Sequence, residues 1–394
     1  MSSEQLNDAI DALLREHPPA TTDPHEFFGA RFDAGLAWVW VDPADGGRNA
    51  DPALQGLVEQ RLTEAGAPHP GSYNPIGIGM CGPTILAHGT PEQRARYLRP
   101  LYTGDEVWSQ LFSEPSAGSD VAGLATRARR DGDDWILDGQ KVWTSFAHLA
   151  SRGLILARTD PDVPKHRGIT AFLVDLKAPG VDVRPLRQMT GAAEFNEVFF
   201  DGVRVSDSDR LGDVGDGWRV GTTTLMNERV SLGGAIATRD EPGADLLEGY
   251  RVAASRGEGN PVRRDQAVRL WIEANVNYLT AVRAAAAGNR GTPGPEGSVL
   301  KLTSAEFNRR AAEFQLDLLG AQATLIPDYE MRRPTLPYGS NGVPSTQTVF
   351  LRTRANTIEG GTSEVLRNIL GERVLGLPGD VRVDKGVAWK DVPR

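Results

Sequence analysis

A chain of 394 residues is too long for a single hydrophobic core, which stops growing near roughly 250–300 residues, so two or three cores are expected. Its 40% apolar and 24% charged residues are ordinary for a globular protein, and a net charge of −9 argues against a nucleic-acid partner, which needs a basic patch. The one cysteine, Cys81, excludes an internal disulfide framework and a cysteine-built zinc site. Residues 2–15 are polar and mixed in charge, without an apolar stretch of signal-peptide length. No apolar run approaches the roughly 20 residues that cross a bilayer, so a soluble, cytoplasmic protein away from membranes is expected.

Residues 1–105 read as a helical domain. Leu54, Leu57, Val58, Arg61 and Leu62 fall at i, i+3, i+4, i+7 and i+8, one helix face with four apolar members. Asp42-Pro43 and Asp45-Gly46-Gly47 mark a turn, and Thr90-Pro91-Glu92 has the form of a helix start with proline at the first helical position. Residues 106–215 change texture to short β-rich runs at 135–137, 153–157, 169–175, 181–183 and 198–200. Turn pairs such as Asp131-Gly132, Asp138-Gly139 and Pro179-Gly180 separate them, with no room for crossover helices, which predicts an antiparallel sandwich or barrel. Over 216–380 helical periodicity returns at 218–238, 262–287, 298–319 and 346–375, the pattern of a four-helix bundle. Residues 381–394 are polar and read as a loose end.

Two weak signals carry no function. Gly77-Ile78-Gly79-Met80-Cys81-Gly82 fits G-x-G-x-x-G, yet no strand runs into it and Pro83 follows at once, so a loop is expected there. His69, His88, His148 and His166 are scattered, and no pair has metal-ligand spacing, so no metal is expected.

Six segments, in order, carry a resemblance. They are Gln110-Leu111-Phe112-Ser113-Glu114-Pro115-Ser116-Ala117-Gly118-Ser119-Asp120, Asp138-Gly139-Gln140-Lys141-Val142-Trp143-Thr144-Ser145, Gly168-Ile169-Thr170-Ala171-Phe172-Leu173-Val174, and Phe195-Asn196-Glu197-Val198-Phe199-Phe200-Asp201-Gly202-Val203-Arg204-Val205. Leu225-Met226-Asn227-Glu228-Arg229 and Glu359-Gly360-Gly361-Thr362-Ser363-Glu364 complete the set. Together they resemble the acyl-CoA dehydrogenases, whose fold of an N-terminal α domain, a central β domain and a C-terminal α bundle agrees with the zones above.

The resemblance implies FAD as cofactor and an acyl-CoA thioester as substrate, oxidised to the 2-enoyl-CoA. Gln110, Phe112, Ser113, Gly118 and Ser119 would line the flavin, Trp143 would cover its ring, and Thr144 and Ser145 would meet its edge. Small residues at 116–119 permit close backbone approach; without the rest of the pattern they would be an ordinary turn. Thr362, Ser363 and Glu364 fall at positions that contact FAD near a helix start, although Thr and Ser also cap helices. Ser119, Arg229 and Gly361 would lie on the substrate side.

α,β-Desaturation needs a carboxylate to take the α-proton, and a dry apolar pocket suits a carboxylate to that work. The family places this base immediately before the Gly-Thr-Ser of the last motif, or before the Arg of the first bundle helix. The first position is Gly360 here, which has no side chain, so Glu228 is the candidate. Its plain alternative is a solvated helix glutamate paired with a neighbouring arginine; Glu359, one residue from the usual position, is the competitor.

The pattern breaks where the family reaches across to a neighbouring subunit's FAD. Residues 249–261 lack the expected Arg and Phe-Gly pair, and Asp317 opens the segment that would meet the adenine. This resembles a branch of actinobacterial-type enzymes in which two different subunits form an α2β2 tetramer, often acting on bulky acyl groups such as steroid side chains. A homo-oligomer, or a heterotetramer with a related subunit, is therefore expected, with an electron-transfer flavoprotein as acceptor. The alternatives are a scaffold subunit of such an assembly, or an oxidase or monooxygenase of the same fold.

Overall fold

The computed structural model describes residues 3–237, 241–288, 295–326, 330–339, 344–379 and 381–393, with the backbone alone over 229–237 and 287–288. The N-terminal domain holds α1 (Ser3–Glu16), α2 (Pro24–Asp33), α3 (Gln55–Glu64), α4 (Pro70–Tyr73), α5 (Gly82–His88) and α6 (Pro91–Thr103). Each longer helix buries one stripe: Leu6, Ile10 and Leu13 of α1, and Val58 and Leu62 of α3, as the periodicity of 54–62 requires. Helix α6 begins at Thr90, whose hydroxyl and Gln93 form a reciprocal capping box, and ends on Gly104 in the left-handed region. The Gly77–Gly82 segment, expected as a loop, is a π-helical turn over Gly77–Cys81 running into α5. Buried Asn74 makes this possible. Its amide donates to Leu101 O (2.8 Å) and Glu106 O (3.0 Å), while its oxygen accepts from Trp108 N (3.0 Å) and Gly77 N (3.2 Å).

The central domain contains β1 (Trp108–Leu111), β2 (Arg127–Asp131), β3 (Asp134–Ser145), β4 (Arg152–Arg158), β5 (Ile169–Asp175), β6 (Val181–Pro185), β7 (Phe195–Ser206) and β8 (Arg210–Leu211). They form one sheet in the order β6-β7-β3-β2-β4-β5-β8, with β1 beside β4. The expected purely antiparallel arrangement is corrected: β1 and β2 both run parallel to β4. A parallel pair needs a long connection, and the whole β2–β3 hairpin supplies one. Strands β4 and β5 are buried on both faces, so their sequences are nearly continuous apolar runs. Leu154, Leu156, Ala171 and Leu173 face the N-terminal helices, whereas Ile155, Ala157, Phe172 and Val174 face the β-domain core.

The C-terminal region holds α7 (Gly217–Ala237), α8 (Ala244–Ser255), α9 (Pro261–Gly288), α10 (Glu296–Asp317), α11 (Thr346–Thr353) and α12 (Ser363–Ile369). Helix α8, absent from the sequence reading, packs Leu246 and Ala253 against Leu270, Phe314 and Leu318. The fourth expected helix is broken after α11, because Gly360 and Gly361 both take positive φ, 63° and 94°. Nor are residues 381–393 a loose end. The Trp389 indole donates to Gly123 O (3.2 Å) beneath the Arg158 guanidinium (4.6 Å), and Lys165 joins Asp384 (2.6 Å) to Asp120 (2.7 Å). Among the described residues no helix is long and apolar enough to cross a membrane.

Candidate active site

The loop leaving β1 is fixed from behind by two buried charges. Lys141 Nζ on β3 donates to Phe112 O (3.1 Å) and to Glu114 Oε1 (2.8 Å). The Glu114 carboxylate also accepts from Ala125 N (2.6 Å) and Thr126 N (2.9 Å), closing both ends of the loop. Burial pushes the Lys141 ammonium down to about 8, against the attraction of Glu114. Burial also pulls the Glu114 carboxyl up, but Lys141 and the bonds from Thr126 and Ala125 outweigh it and hold it below the usual value. Backbone bonds Val142 N to Ser113 O (2.9 Å) and between Glu114 and Ala117 (both 3.0 Å) complete the frame.

Directly beyond Lys141 the β3–β7 register slips, and Trp143 stands at φ +60°, 56% exposed. A bulky residue in the left-handed region is uncommon; Phe146 shares the conformation but is buried, whereas Trp143 is held out to solvent. Phe195 supports its ring edge-on at 5.9 Å. Next to it the Thr144 hydroxyl is buried and lacks a hydrogen-bond partner among the described residues. Ser145 is anchored through its carbonyl, which accepts from Ser109 Oγ (2.7 Å), and Gly118 has open space where a Cβ would stand.

Helix α7 carries the second part. Gly221 packs on Leu156 and Phe112, and Thr224 is buried against Thr84 (3.1 Å). Glu228 follows on the same face, two turns or about 10 Å along the helix from Gly221. There it meets the turn between α11 and α12: a Cβ placed on Gly360 would stand 3.1 Å from Glu228 Oε1. The helix position and the turn position for a base thus converge on one point. The competitor, Glu359, is engaged elsewhere, accepting two bonds from Arg352 (3.0 and 2.9 Å) and one from Asn356 (2.7 Å).

Gln110, Ser113, Gly118, Ser119, Trp143, Thr144 and Ser145 lie on β1, on β3 or in the loop leaving β1, the segments that Lys141 and Glu114 tie together, while Glu228 meets Gly360 at the turn. Phe112 turns its side chain into the core, and its carbonyl accepts from Lys141. Thr362 caps α12, accepting from Val365 N (3.1 Å); Ser363 is buried and donates to Glu306 (2.9 Å); Glu364 is exposed. The Arg229 side chain lies outside the described residues. Sequence reasoning missed the Lys141–Glu114 pair, Lys301 and Arg352. The first two sit inside quoted motifs; their pairing shows only in three dimensions. Among the described residues no group of His, Cys, Asp or Glu is arranged to hold a metal.

An exposed aromatic face next to an orphaned buried hydroxyl, with an open glycine in the loop leaving β1, suits a flat, partly polar ligand such as the isoalloxazine of FAD. Three family models match in chain order: the N-terminal domain of acyl-CoA dehydrogenase at 3–105, the middle domain at 109–203 and the C-terminal domain at 215–375. The chain is 42% identical over 351 residues to acyl-CoA dehydrogenase FadE34 of Mycobacterium tuberculosis, covering 88% of this chain but only 45% of that one. It is 39% identical to acyl-CoA dehydrogenase IpdE1 of the same organism, covering 89% and 86%. Among solved structures, the Tcur3481-Tcur3483 steroid ACAD superposes with a TM-score of 0.72 at 25% identity, over 96% and 98% of the two chains. The chain belongs to the acyl-CoA dehydrogenase family, FAD-dependent oxidoreductases acting on CH–CH bonds.

Proposed function

We propose that this chain oxidises an acyl-CoA thioester to its 2-enoyl-CoA, with Glu228 taking the α-proton. Bound FAD supplies the acceptor for the β-hydride. The residues around the 110–145 frame bind and orient the flavin: Trp143 covers the ring, and Thr144 and Ser145 face its edge. Thr362 sits at a helix start suited to the diphosphate, and Ser119, Arg229 and Gly361 lie toward the thioester. The observation that carries the reading is the meeting of Glu228 with Gly360, which leaves one carboxylate where the family has two alternative anchors.

The acyl group is bulky, of the steroid side-chain kind, as the name of the steroid ACAD suggests for that protein. A related subunit completes the FAD site. Asp317 puts an acceptor-only carboxylate, paired with Arg263 (3.1 Å), where the family meets a neighbour's adenine, and the steroid ACAD is named for two chains. An electron-transfer flavoprotein takes the electrons.

The test is anaerobic mixing of the FAD-loaded protein with octanoyl-CoA, isobutyryl-CoA and cholyl-CoA while flavin absorbance is followed. Bleaching strongest with cholyl-CoA is expected, and Glu228→Gln should keep its flavin yet fail to bleach. Wild-type bleaching in Glu228→Gln would remove the base assignment.

A further inference from the structure

Lysine is almost never buried unless its ammonium is satisfied, because stripping its hydration costs several kcal/mol. Lys301 is buried all the same. It sits on α10 next to Leu300 and one turn before Ser304 and Ala305, on the helix's inner face. Its Nζ donates to Asn356 O (3.0 Å) and Gly361 O (2.6 Å), the two ends of the turn that joins α11 to α12. Its Cε lies 3.4 Å from the point where a Cβ on Gly360 would stand, and Glu228 Oε1 lies 3.1 Å from that same point. The lysine stem and the glutamate carboxylate therefore converge on one glycine from two different helices.

Backbone bonds from Ile358 N and Glu359 N to Ala355 O (2.8 and 2.9 Å) and from Ser363 N to Thr357 O (3.0 Å) shape the turn from within. Gly360 and Gly361 both occupy the left-handed region, and glycine loses more conformational freedom on ordering than any other residue. Its outer side is fixed by the Arg352–Glu359 pair and by Asn356, which also donates to Glu359 (2.7 Å). The inner side, the one facing Glu228, is held by Lys301. Charge-assisted bonds to two carbonyls are stronger and more directional than neutral ones.

We propose that Lys301 is a positioning residue for proton abstraction: it clamps residues 356–361 so that Gly360 forms the wall against which the Glu228 carboxylate is aimed. The proposal rests on Glu228 being the base. A side chain that merely filled space would do as well as methionine of similar length. A clamp would not, since Asn356 and Gly361 would lose their cationic donor and the wall behind the carboxylate would loosen.

The experiment compares wild type, Lys301→Met, Lys301→Arg and Glu228→Gln as FAD-loaded protein, assembled with its related subunit where FAD retention needs it. Rates of flavin bleaching by the acyl-CoA that wild type oxidises fastest are measured beside the affinity for the matching enoyl-CoA. Lys301→Met is expected to bleach about 10- to 100-fold more slowly, as displacement of a reacting group by about 1 Å does, while enoyl-CoA affinity stays within about twofold. Lys301→Arg should regain part of the rate. Wild-type bleaching per bound FAD in Lys301→Met would overturn the proposal, as would a loss of rate matched by an equal loss of enoyl-CoA affinity. If Lys301→Met does not fold, Lys301→Gln, which keeps a donor of shorter reach, is judged by the same criteria. Glu228→Gln separates the two readings: if it bleaches normally the base assignment fails, whereas if it is silent and Lys301→Met is fast, only the clamp fails.

Discussion

Glu114 and Lys141 illustrate how much rests on single side chains. With side-chain exposures of 4% and 0%, each is tolerable only because of the other. Lys141→Met takes the cation from a buried carboxylate and should cost about 3–5 kcal/mol of stability, read by chemical denaturation, with loss of FAD where the frame binds it as proposed. Gly360→Ala forces a left-handed alanine against Glu228, costing about 1–2 kcal/mol and slowing flavin bleaching more than it changes the melting temperature. Asp207 gives a pH test. Its bonds to Arg210 and Trp135, with the charge of Arg130 nearby, hold its carboxyl down at about 2 from an ordinary 3.8. A depressed carboxyl stabilises fully above its unfolded value and loses that contribution as pH falls toward the folded one, here between 3.8 and about 2. Asp207→Asn should therefore melt below wild type at about pH 5 and approach it at about pH 3. Glu228 was legible as a candidate because its place in a motif is a sequence property. Lys301 was not: a lysine in an amphipathic helix looks like any solvated lysine until the fold turns that face inward.

At the level of elements, local chemistry decided what could be read. The Thr90 capping box, the 54–62 stripe and the apolar runs of β4 and β5 all announce themselves within a few residues. The broken final helix and the parallel pairings of β4 do not, since one depends on glycine φ and the other on partners about 30 to 45 residues away. The C-terminal segment was misread for the same reason: its polarity suits solvent, yet one tryptophan anchors it. Trp389 lies under Arg158, whose guanidinium also donates to Ala122 O (2.6 Å) and Leu124 O (3.1 Å) in the loop that follows Ser119. Ending the chain at Gly379 should expose that loop. Faster amide exchange over 118–125 is expected, with a modest fall in melting temperature, and unchanged exchange there would show the segment to be independent of the site.

Across the whole molecule, α9 is the feature out of keeping with an isolated chain. Its inner face buries Ala267, Leu270, Ala274 and Ala281, while Val268, Ile272, Val276, Leu279 and Val282 line an exposed second face. A helix apolar on two sides is one made to be covered twice. Val276→Glu combined with Leu279→Glu should leave the fold intact and abolish assembly with a related subunit, measured by size-exclusion chromatography with light scattering. The three-part architecture was legible because each part has its own texture. The meeting of the 110–145 frame, α7 and the 356–361 turn was not, because it joins segments from opposite ends of the chain.

The left-handed, exposed Trp143 also makes the molecule report on itself. In the proposed function Trp143 covers the flavin ring, and an indole so placed loses its emission efficiently, whereas the chain's other seven tryptophans stand elsewhere in the fold. Adding FAD to flavin-free protein should therefore dim the ultraviolet emission by the share that Trp143→Phe removes outright. Cofactor occupancy could then be followed by fluorescence even in a preparation too pale to show colour, before any subunit or substrate is identified.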